Sequence, residues 1–431
     1  MYVYIETYGC SANLNNCEII SGLLTRNGFL IVKDPAIADA IVLNTCIVKG
    51  KTEQKMRSRI QELSSLKKPL IVSGCMPDVE AKIIKEINPK AGLLGVHHIK
   101  EISMAVKKLV EGKSIDAIDT LSKQDEIKLC QPKLPANKII GINQISEGCL
   151  GSCNYCYTRL AKGKLFSYPK DLILKSVKAD LDSGAKEIWL TSQDSAAYGL
   201  DSGSRKLPEL LQSIIKIKPK GKFFIRLGMM NPNNVKPMLE KLIEVYKDRK
   251  MFKFLHIPLQ SGSNQVLEDM ERKYKIEDFI EIVERFRKEI PEILISTDII
   301  CGYPTETPED FEKTFQLIKK VQPDIINVSK FWSMPRTFAS RLKQLKTEEI
   351  KKRSTRLSFL HKQINMQKNR LLVGKEYECI IDEFGQVKGT MIARNISYKP
   401  IIVKGKFSLG DIVKVKITWF DCFHLIGEVI K

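Results

Sequence analysis

Between residues 138 and 340, short apolar runs of strand length alternate with helical stretches, and this alternation constrains the fold more than any other feature of the chain. Alternating strands and helices predict β/α units built on a parallel sheet. Six such units exceed what a small sheet needs, so they favour an incomplete (β/α) barrel, in which chemistry takes place at the carboxyl ends of the strands. The predicted strands are residues 139–145, 187–191, 223–227, 254–258, 293–300 and 325–330.

Two other patterns flank this barrel. Residues 1–108 also alternate between strand and helix, which predicts a small parallel α/β sheet domain. Residues 109–136 have weak periodicity and several charges, and we interpret them as a linker to the barrel core at 137–366. In residues 369–431, short strand-like runs broken by glycines predict a small β-barrel. The predicted fold class is therefore α/β, with a small β-barrel at the C-terminal end.

The sharpest local signal is the run Cys149-x3-Cys153-x2-Cys156, directly after the first predicted barrel strand. Three thiolates this close can hold three irons of a [4Fe–4S] cluster. No fourth cysteine follows nearby, which leaves one iron open to bind a cofactor directly. Zinc is the alternative, but it usually takes four ligands in paired Cys-x2-Cys units, and no partner pair follows. The spacing favours a cluster.

Three further cysteines, Cys10, Cys46 and Cys75, each follow a predicted strand of the N-terminal domain. The carboxyl ends of parallel strands share one crevice, so we expect these cysteines to converge. Glycines directly before Cys10 and Cys75 would let the backbone approach a bulky ligand closely. The alternative is three buried cysteines that act as small hydrophobic residues. Their equivalent positions at three strand ends favour a second three-ligand cluster.

The chain carries 70 Lys and Arg against 50 Asp and Glu, a net charge of +20 that attracts a polyanion such as nucleic acid or an acidic membrane. Across residues 388–416 only Asp411 opposes the basic side chains, which are interleaved with Tyr398, Phe407 and Trp419. This pattern predicts a barrel face that binds RNA by phosphate contact and stacking, with an ordinary solvated surface as the alternative. The predicted RNA-binding residues are Lys388, Arg394, Lys399, Lys404, Lys406, Lys414 and Lys416.

The sequence also indicates where the protein is located. No segment approaches 18 consecutive apolar residues, so we predict no membrane span. The N-terminal residues read as a strand and lack the pattern of a signal peptide. Cytosolic thiols stay reduced, so the 11 cysteines do not indicate a disulfide framework. We expect a cytoplasmic protein without a membrane partner.

A cysteine triad after the first strand of a partial barrel resembles the defining motif of the radical S-adenosylmethionine superfamily. The resemblance implies that the open iron binds the methionine moiety of S-adenosylmethionine and that electron transfer then yields a 5′-deoxyadenosyl radical. It also places Tyr155 near the adenine of the cofactor. Further candidate contacts lie at or just beyond strand ends, where each polar residue could instead cap a helix. They are Gln193, Arg226, Gln260, Ser261, Asp298 and Gly302.

The whole chain resembles the methylthiotransferase family, which joins a three-cysteine N-terminal domain, a radical core and an RNA-binding β-barrel called TRAM. Within it, the chain is most similar to the archaeal and eukaryotic branch that acts on N6-threonylcarbamoyladenosine in tRNA. The stretches that carry the resemblance are Glu6-Thr7-Tyr8-Gly9-Cys10, Ser146-Glu147-Gly148-Cys149-Leu150-Gly151, Trp189-Leu190-Thr191-Ser192-Gln193-Asp194 and Gly228-Met229-Met230-Asn231-Pro232.

This family resemblance implies an enzyme with two [4Fe–4S] clusters that uses S-adenosylmethionine both as methyl donor and as radical source. The implied reaction is methylthiolation of the adenine C2 of N6-threonylcarbamoyladenosine at position 37, next to the anticodon of tRNA. The implied partners are the anticodon stem-loop of tRNA and an electron donor of the flavodoxin or ferredoxin type. The sulfur source stays open.

Three alternatives remain. The first is an isopentenyladenosine tRNA methylthiotransferase, which performs the same chemistry on another tRNA adenosine. The second is a methylthiotransferase for an aspartate of a ribosomal protein, and the basic β-barrel argues against it because that partner requires no phosphate-binding face. The third is a non-enzymatic iron–sulfur RNA-binding protein. Two sites with three cysteines each argue against this one, because a structural cluster normally has all its irons bound by protein.

Two departures from the family pattern affect the site. Relatives usually carry Pro-Arg-Pro-Gly-Thr after the last barrel strand, whereas this chain has Ser333-Met334-Pro335-Arg336-Thr337 and lacks the glycine of that turn. The usual Arg-Gly after the cluster motif is Lys162-Gly163 in this chain. That change keeps the positive charge but loses bidentate hydrogen bonding.

Overall fold

The computed structural model describes residues 1–47, 50–115, 120–123 and 125–430. Its N-terminal domain is a five-stranded, all-parallel sheet in the order β2-β1-β3-β4-β5. The strands are β1 Tyr2–Thr7, β2 Leu30–Val32, β3 Ala40–Thr45, β4 Leu70–Gly74 and β5 Gly92–Leu94. The helices are α1 Ser11–Arg26, α2 Gly50–Ser65, α3 Cys75–Ile87 and α4 Ile102–Val110.

The central strand β3 explains why this sheet needs helices on both faces. All of its residues are buried, and successive side chains point to opposite faces. Ile41 and Leu43 pack with α2 and α3, whereas Ala40 and Val42 pack with α1 and α4. The sequence predicted β1, β3 and β4 but not β2 and β5, which are only three residues long.

The sequence predicts a linker at 109–136, and parts of this segment contact the domains on either side of it. Helix α4 extends into it as far as Val110. The backbone N–H of Leu134 donates to the carbonyl of Glu18 in α1 at 2.9 Å, and Lys128 is only 1% exposed. These contacts bind parts of the segment to its neighbours, and the linker interpretation stays a prediction.

The central domain contains all six predicted barrel strands, with their ends shifted by a few residues. They form two parallel sheets of three strands, β6-β9-β10 and β11-β12-β13, joined by a bridge between Ile225 and Met251. The strands of this domain are β6 Ile140–Gln144, β7 Ser146–Glu147, β8 Phe166–Ser167, β9 Glu187–Thr191, β10 Phe224–Leu227, β11 Phe254–His256, β12 Leu294–Cys301 and β13 Ile325–Lys330. The short strands β7 and β8 pair with each other in a separate antiparallel sheet of two strands.

Helices separate the barrel strands as the sequence predicted. The helices of this domain are α5 Thr158–Lys162, α6 Lys170–Asp182, α7 Leu207–Ile215, α8 Pro232–Val235, α9 Leu239–Tyr246, α10 Asn264–Asp269, α11 Ile276–Glu289 and α12 Pro308–Val321. Short 3₁₀ turns lie at Pro35–Ile37, Ile99–Glu101, Ser195–Ala197, Leu200–Ser202, Lys236–Met238 and Phe338–Arg341. None of the helices in the described part of the chain is long and apolar enough to cross a membrane.

Helix α13, Thr347–Arg370, leads into a closed five-stranded barrel with the order β14-β15-β16-β18-β17. Its strands are β14 Glu376–Phe384, β15 Thr390–Asn395, β16 Pro400–Lys404, β17 Ile412–Phe420 and β18 Leu425–Ile430. The sequence predicted four strand-like runs and missed β18, which closes the barrel between β16 and β17. Without that strand the sheet would have open edges.

This small barrel docks on the central domain through an aromatic contact. The ring of Tyr398 lies 4.8 Å from that of Phe252 and 5.5 Å from that of Phe254. Next to it, the backbone N–H of Lys253 donates to the carbonyl of Ile396 at 2.7 Å. The C-terminal barrel is therefore held against the central domain by packed side chains and a backbone hydrogen bond.

Candidate metal centres and nucleic-acid surface

The three cysteines of the N-terminal domain lie at neighbouring strand ends, and a buried asparagine connects these ends. The side-chain amide of Asn13 donates to the carbonyl of Thr45 at 2.9 Å. Its Oδ1 accepts a hydrogen bond from Cys75 Sγ at 4.0 Å. Cys75 also interacts electrostatically with Cys46 and Cys10. The structure brings the three thiols to one crevice, and their role as metal ligands stays a prediction.

This crevice depends on close backbone approach and on burial. Gly9 has a φ of 121°, and a Cβ at this position would lie 2.8 Å from Cβ and 3.1 Å from Sγ of Cys46. A larger residue would therefore push the strand ends apart. Burial raises the pKa of the Cys75 thiol to about 12, so the thiol stays protonated until a metal displaces its proton. Cys10 is exposed, which leaves one side of the crevice accessible.

The second triad lies in the loop between β7 and α5. The backbone N–H of Gly151 donates to Cys149 Sγ at 3.2 Å, and the space beside its α carbon is bordered by the sulfurs of Cys149 and Cys153. The guanidinium of Arg272 donates to Cys153 Sγ, also at 3.2 Å. Cys156 interacts electrostatically with Cys153. Donors aimed at sulfur stabilise the thiolate form, and they tune the reduction potential of a cluster bound through it.

Each triad has three thiols and is expected to hold a four-iron cluster, which stays a prediction for the N-terminal triad. Within the described ranges, no three His, Cys, Asp or Glu side chains are close enough together to hold one ion. The thiolates of a cluster each bind a different iron, so they share a crevice without converging on a point. Structural zinc requires four ligands around one point. With three thiols each, both triads would leave one iron open to a further ligand.

A buried carboxylate with two lysines lies between the triads. Glu147 Oε2 accepts from Lys128 at 2.5 Å and Oε1 accepts from Lys162 at 2.6 Å. Burial raises the pKa of a carboxyl, but the two ammonium groups outweigh burial here and lower the pKa of Glu147 to about 2. Lys162 also interacts electrostatically with Cys75 and Cys10. Lys162 therefore connects Glu147, which lies two positions before Cys149, with the crevice of the N-terminal cysteines.

The same three residues account for the Lys162-Gly163 departure from the family pattern. One arginine can occupy both oxygens of a carboxylate, whereas a lysine occupies one. In this chain Lys162 takes one oxygen of Glu147, and Lys128 from the packed segment takes the other. Glu147 and its two lysines together carry a net positive charge. Lys162 lies next to thiols that become anionic when they bind metal.

Replacing Glu147 with Gln is expected to lower the free energy of unfolding by about 3–5 kcal/mol, because it leaves two buried ammonium groups without their carboxylate. Lys128→Met should have a smaller effect, because the neutral Lys162–Glu147 pair remains. Urea-induced unfolding followed by circular dichroism measures both. Equal losses in the two variants would contradict the assignment of Glu147 as the shared partner.

A cavity of about 830 Å³ opens between the N-terminal and central domains. Cys153, Cys156 and Lys162 line it from the central domain, and His97 lines it from the N-terminal domain. The N-terminal cysteines are not in this lining, but Lys162 in the cavity wall interacts electrostatically with Cys10 and Cys75.

Three of the predicted cofactor contacts meet in a separate pocket of about 220 Å³, which Tyr155, Gln260 and Asp298 line. Gln260 has a left-handed φ of 66°, and its buried Oε1 has no hydrogen-bond partner among the described residues. Its backbone N–H donates to the carbonyl of Asp298 at 2.7 Å. A strained residue with an unsatisfied acceptor is typical of a binding site. Gln193 also has a buried Oε1 without such a partner and stays a candidate.

The other predicted contacts take part in packing, and their role toward the cofactor stays a prediction. The guanidinium of Arg226 is buried against the rings of Trp189 and Tyr398, at 4.8 and 5.1 Å, so it belongs to the interface with the C-terminal barrel. Ser261 is fully buried, and its Oγ accepts from the backbone N–H of the residue that caps α10. A Cβ at Gly302 would clash with Ile350 of α13, so the packing of this helix requires a glycine here.

The predicted RNA-binding residues fall into three groups, of which one forms an exposed basic surface. Lys388, Lys404 and Lys406 are exposed at one end of the C-terminal barrel, and we call them the lysine end. Lys404 is paired in register with Thr390, and Gly405 N–H donates to the carbonyl of Gly389 at 3.2 Å, so the three lysines lie on adjacent chain segments. Phe384, 72% exposed, ends the neighbouring strand β14.

Lys414 and Lys416 lie on β17 among carboxylates that the sequence reading did not place beside them. Lys414 Nζ is 2.6 Å from a carboxylate oxygen of Glu376. Lys416 is paired in register with Glu376 on one side and with Glu428 on the other. These carboxylates offset the lysine charge locally, so β17 is a mixed rather than a basic surface.

Arg394 and Lys399 are less accessible than the lysine end, and their role as RNA contacts stays a prediction. Arg394 forms ion pairs with Asp382 and with Glu383, the latter at 2.6 Å, and it stacks on Tyr398. Burial lowers the pKa of Lys399. Tyr398, proposed as a stacking residue, is only 7% exposed, whereas Trp419 is 53% exposed and free to stack.

Two residues at these sites were missed in the sequence. Arg272 follows α10, and nothing marks it except its place in the loop after the fourth barrel strand. Asn13 had a clearer signal, because Asn13, Asn15 and Asn16 cluster in the first turns of the helix directly after Cys10 and are all buried. Buried amides in such a position indicate hydrogen bonding to a site.

Three family models match the chain. The Radical SAM superfamily matches residues 143–318, Uncharacterized protein family UPF0004 matches residues 2–95, and the TRAM domain matches residues 370–430. A solved structure of the radical S-adenosylmethionine methyltransferase TsrM from Kitasatospora setae has a TM-score of 0.56 and 13% identity, over 78% of this chain and 76% of that chain. This likeness shows a shared fold.

Full-length relatives are more specific. A probable threonylcarbamoyladenosine tRNA methylthiotransferase from Pyrococcus horikoshii is 41% identical over 432 residues, which cover 99% of each chain. A threonylcarbamoyladenosine tRNA methylthiotransferase from Xenopus laevis is 33% identical over 100% of this chain and 77% of the relative. Similarity at this level and over this length shows that the chain belongs to the threonylcarbamoyladenosine tRNA methylthiotransferase family of radical S-adenosylmethionine enzymes.

Proposed function

We propose that this protein methylthiolates C2 of N6-threonylcarbamoyladenosine at position 37 of tRNA, giving 2-methylthio-N6-threonylcarbamoyladenosine. The observation that carries the proposal is the cavity beside the core triad, whose wall residue Lys162 interacts electrostatically with the N-terminal thiols. Cys153 and Cys156 line the cavity, and Lys162 in its wall interacts with Cys10 and Cys75. The radical would form at one triad and the methylthio group would come from the other, so the adenine C2 must be able to reach both. The names of the full-length relatives support this choice of substrate.

Each triad would hold one [4Fe–4S] cluster, which fits three thiols in a shared crevice. Bound at Cys149, Cys153 and Cys156, a cluster with S-adenosylmethionine would supply a 5′-deoxyadenosyl radical that activates an unreactive C–H position. The N-terminal triad would be the site from which the methylthio group is transferred. S-adenosylmethionine would also be the methyl donor.

The residues of the chain orient these groups. Arg272 holds Cys153 in place by a hydrogen bond to its sulfur, and Gly151 does the same for Cys149. Tyr155, Gln260 and Asp298 would bind the cofactor in their pocket, with the unsatisfied Oε1 of Gln260 as an acceptor for one of its donor groups. The lysine end and exposed aromatic rings of the C-terminal barrel would bind tRNA by phosphate contact and stacking. A flavodoxin- or ferredoxin-like electron donor and a cytoplasmic location stay predictions.

Anaerobically reconstituted enzyme with S-adenosylmethionine, a sulfur source and a reductant should methylthiolate tRNA that carries threonylcarbamoyladenosine. It should leave the same tRNA with unmodified or isopentenylated adenosine unchanged. Mass spectrometry of digested nucleosides measures the product, and a variant in which Cys149, Cys153 and Cys156 are Ala is the control without product. Equal turnover of isopentenylated tRNA would assign the protein to the isopentenyladenosine activity. Methylthiolation of a ribosomal protein alone would remove tRNA as the substrate.

A further inference from the structure

Arg336 adopts a backbone conformation that L-residues other than glycine avoid. Its φ is 65°, in the left-handed region. It stands in the turn for which the family pattern has glycine, so the chain keeps the conformation of that turn with a long cationic side chain. A non-glycine residue persists in this region only where its surroundings compensate for the strain, and such residues concentrate at ligand sites.

The guanidinium of Arg336 reaches across the domain boundary. It donates a hydrogen bond to the carbonyl of Val79 in α3, directly before Glu80, where the helix has non-helical torsion angles of −130° and 34°. It also interacts electrostatically with the hydroxyl of Tyr157, which follows the third cysteine of the core triad. A guanidinium has five N–H donors, so these two contacts leave donors for a further partner. Arg336 itself is exposed.

Arg336 lines the 830 Å³ cavity between the domains, together with Arg159, Lys164 and the 53%-exposed ring of Phe338. No carboxylate of a described residue lies within ion-pair distance of Arg159, Lys164 or Arg336, and Asp125 is the single acidic residue in the described lining. The backbone N–H of Ala339 donates to the carbonyl of Asn154 at 3.1 Å, which holds this turn against the loop of the core triad. The cationic part of the cavity is therefore beside Cys153 and Cys156.

We propose that Arg336, supported by Arg159 and Lys164, binds the carboxylate of the threonyl group on the target adenosine. This inference rests on the proposed function, since it names the residue that selects that substrate. C2 and the carbon that carries N6 belong to the same six-membered ring, so a substituent on N6 must lie close to the reacting carbon. The ribose separates the tRNA phosphates from the base, which places them farther away. A guanidinium binds a carboxylate in a bidentate, charge-assisted manner.

The test measures binding rather than turnover. Reconstituted protein without S-adenosylmethionine is titrated with two fluorescent anticodon stem-loops, one with threonylcarbamoyladenosine and one with unmodified adenosine. Arg336→Gly should weaken binding of the first by about 10- to 100-fold, the range of a lost charged hydrogen bond, and leave the second unchanged. The affinity of Arg336→Lys for the modified stem-loop should lie between those of the wild type and Arg336→Gly, because lysine keeps the charge without the bidentate geometry.

The variant and its controls separate recognition from structure. Glycine fits a φ of 65° without strain, and this relief offsets the lost hydrogen bond to Val79, so Arg336→Gly should change the melting temperature little. Arg341→Ala, five positions on and outside the cavity lining, should leave both affinities unchanged. Equal loss for both stem-loops would assign Arg336 to a phosphate and overturn the proposal, as would unchanged affinities with a lower melting temperature. If the wild-type protein does not prefer the modified stem-loop, the substrate of the proposed function is wrong instead.

Discussion

Replacing Cys10, Cys46 and Cys75 with Ala is expected to remove half of the iron from anaerobically reconstituted protein and to abolish the methylthio product. Two [4Fe–4S] clusters correspond to about eight irons per chain, so about four should remain. The variant should still cleave S-adenosylmethionine to 5′-deoxyadenosine in the presence of dithionite, because that reaction needs only the core triad. Iron analysis, visible absorption and chromatography of the nucleosides measure the three outcomes.

The complementary variant and a single-cysteine control complete this experiment. Replacing Cys149, Cys153 and Cys156 should remove the other half of the iron and all cleavage. Cys130→Ala, an exposed cysteine outside both triads, should keep all of the iron. Full iron in the N-terminal variant would show that its triad is not a cluster site. Loss of cleavage in that variant, with an unchanged circular dichroism spectrum, would show that the two sites do not act independently.

The sequence predicted the three-part fold because its strongest patterns are local. Strand β3 begins with four consecutive apolar residues and is buried on both faces, and helices separate the six barrel strands. The strands that the sequence did not predict are those that form through pairing with neighbouring strands in the folded protein. Strands β2 and β5 have three residues each, and β18 is specified by its position between β16 and β17 rather than by a strong pattern of its own.

The candidate sites show the same division. The cysteines could be grouped from sequence, because topology places the ends of parallel strands in one crevice. The cofactor contacts could not, because a position near a strand end does not show what another domain places beside it. Gln260 and Asp298 do line one pocket, whereas Arg226 is covered by Tyr398 of the C-terminal barrel. Likewise, Lys128 lies in a segment of weak pattern, and its ion pair with Glu147 depends on tertiary packing alone.

Reversing Lys388, Lys404 and Lys406 to Glu is expected to weaken tRNA binding by orders of magnitude. These lysines form the exposed basic end of the barrel, so they are the residues of this domain best placed to contact phosphates. Each lost phosphate contact should reduce the slope of log affinity against log salt concentration by roughly 0.7 to 0.9, or about 2 to 3 for the three. Fluorescence anisotropy over a series of salt concentrations measures this slope.

The chain offers a matched control on the same barrel. Lys414 and Lys416 are also exposed lysines, but Glu376 and Glu428 lie beside them, so reversing both to Glu should change the salt slope far less. Cleavage of S-adenosylmethionine without tRNA should be the same in both variants, because the core triad lies in another domain. Equal effects of the two reversals would mean that tRNA responds to the overall charge of the barrel. A larger effect at Lys414 and Lys416 would move the RNA surface to β17, where the exposed Trp419 would then provide the stacking contact.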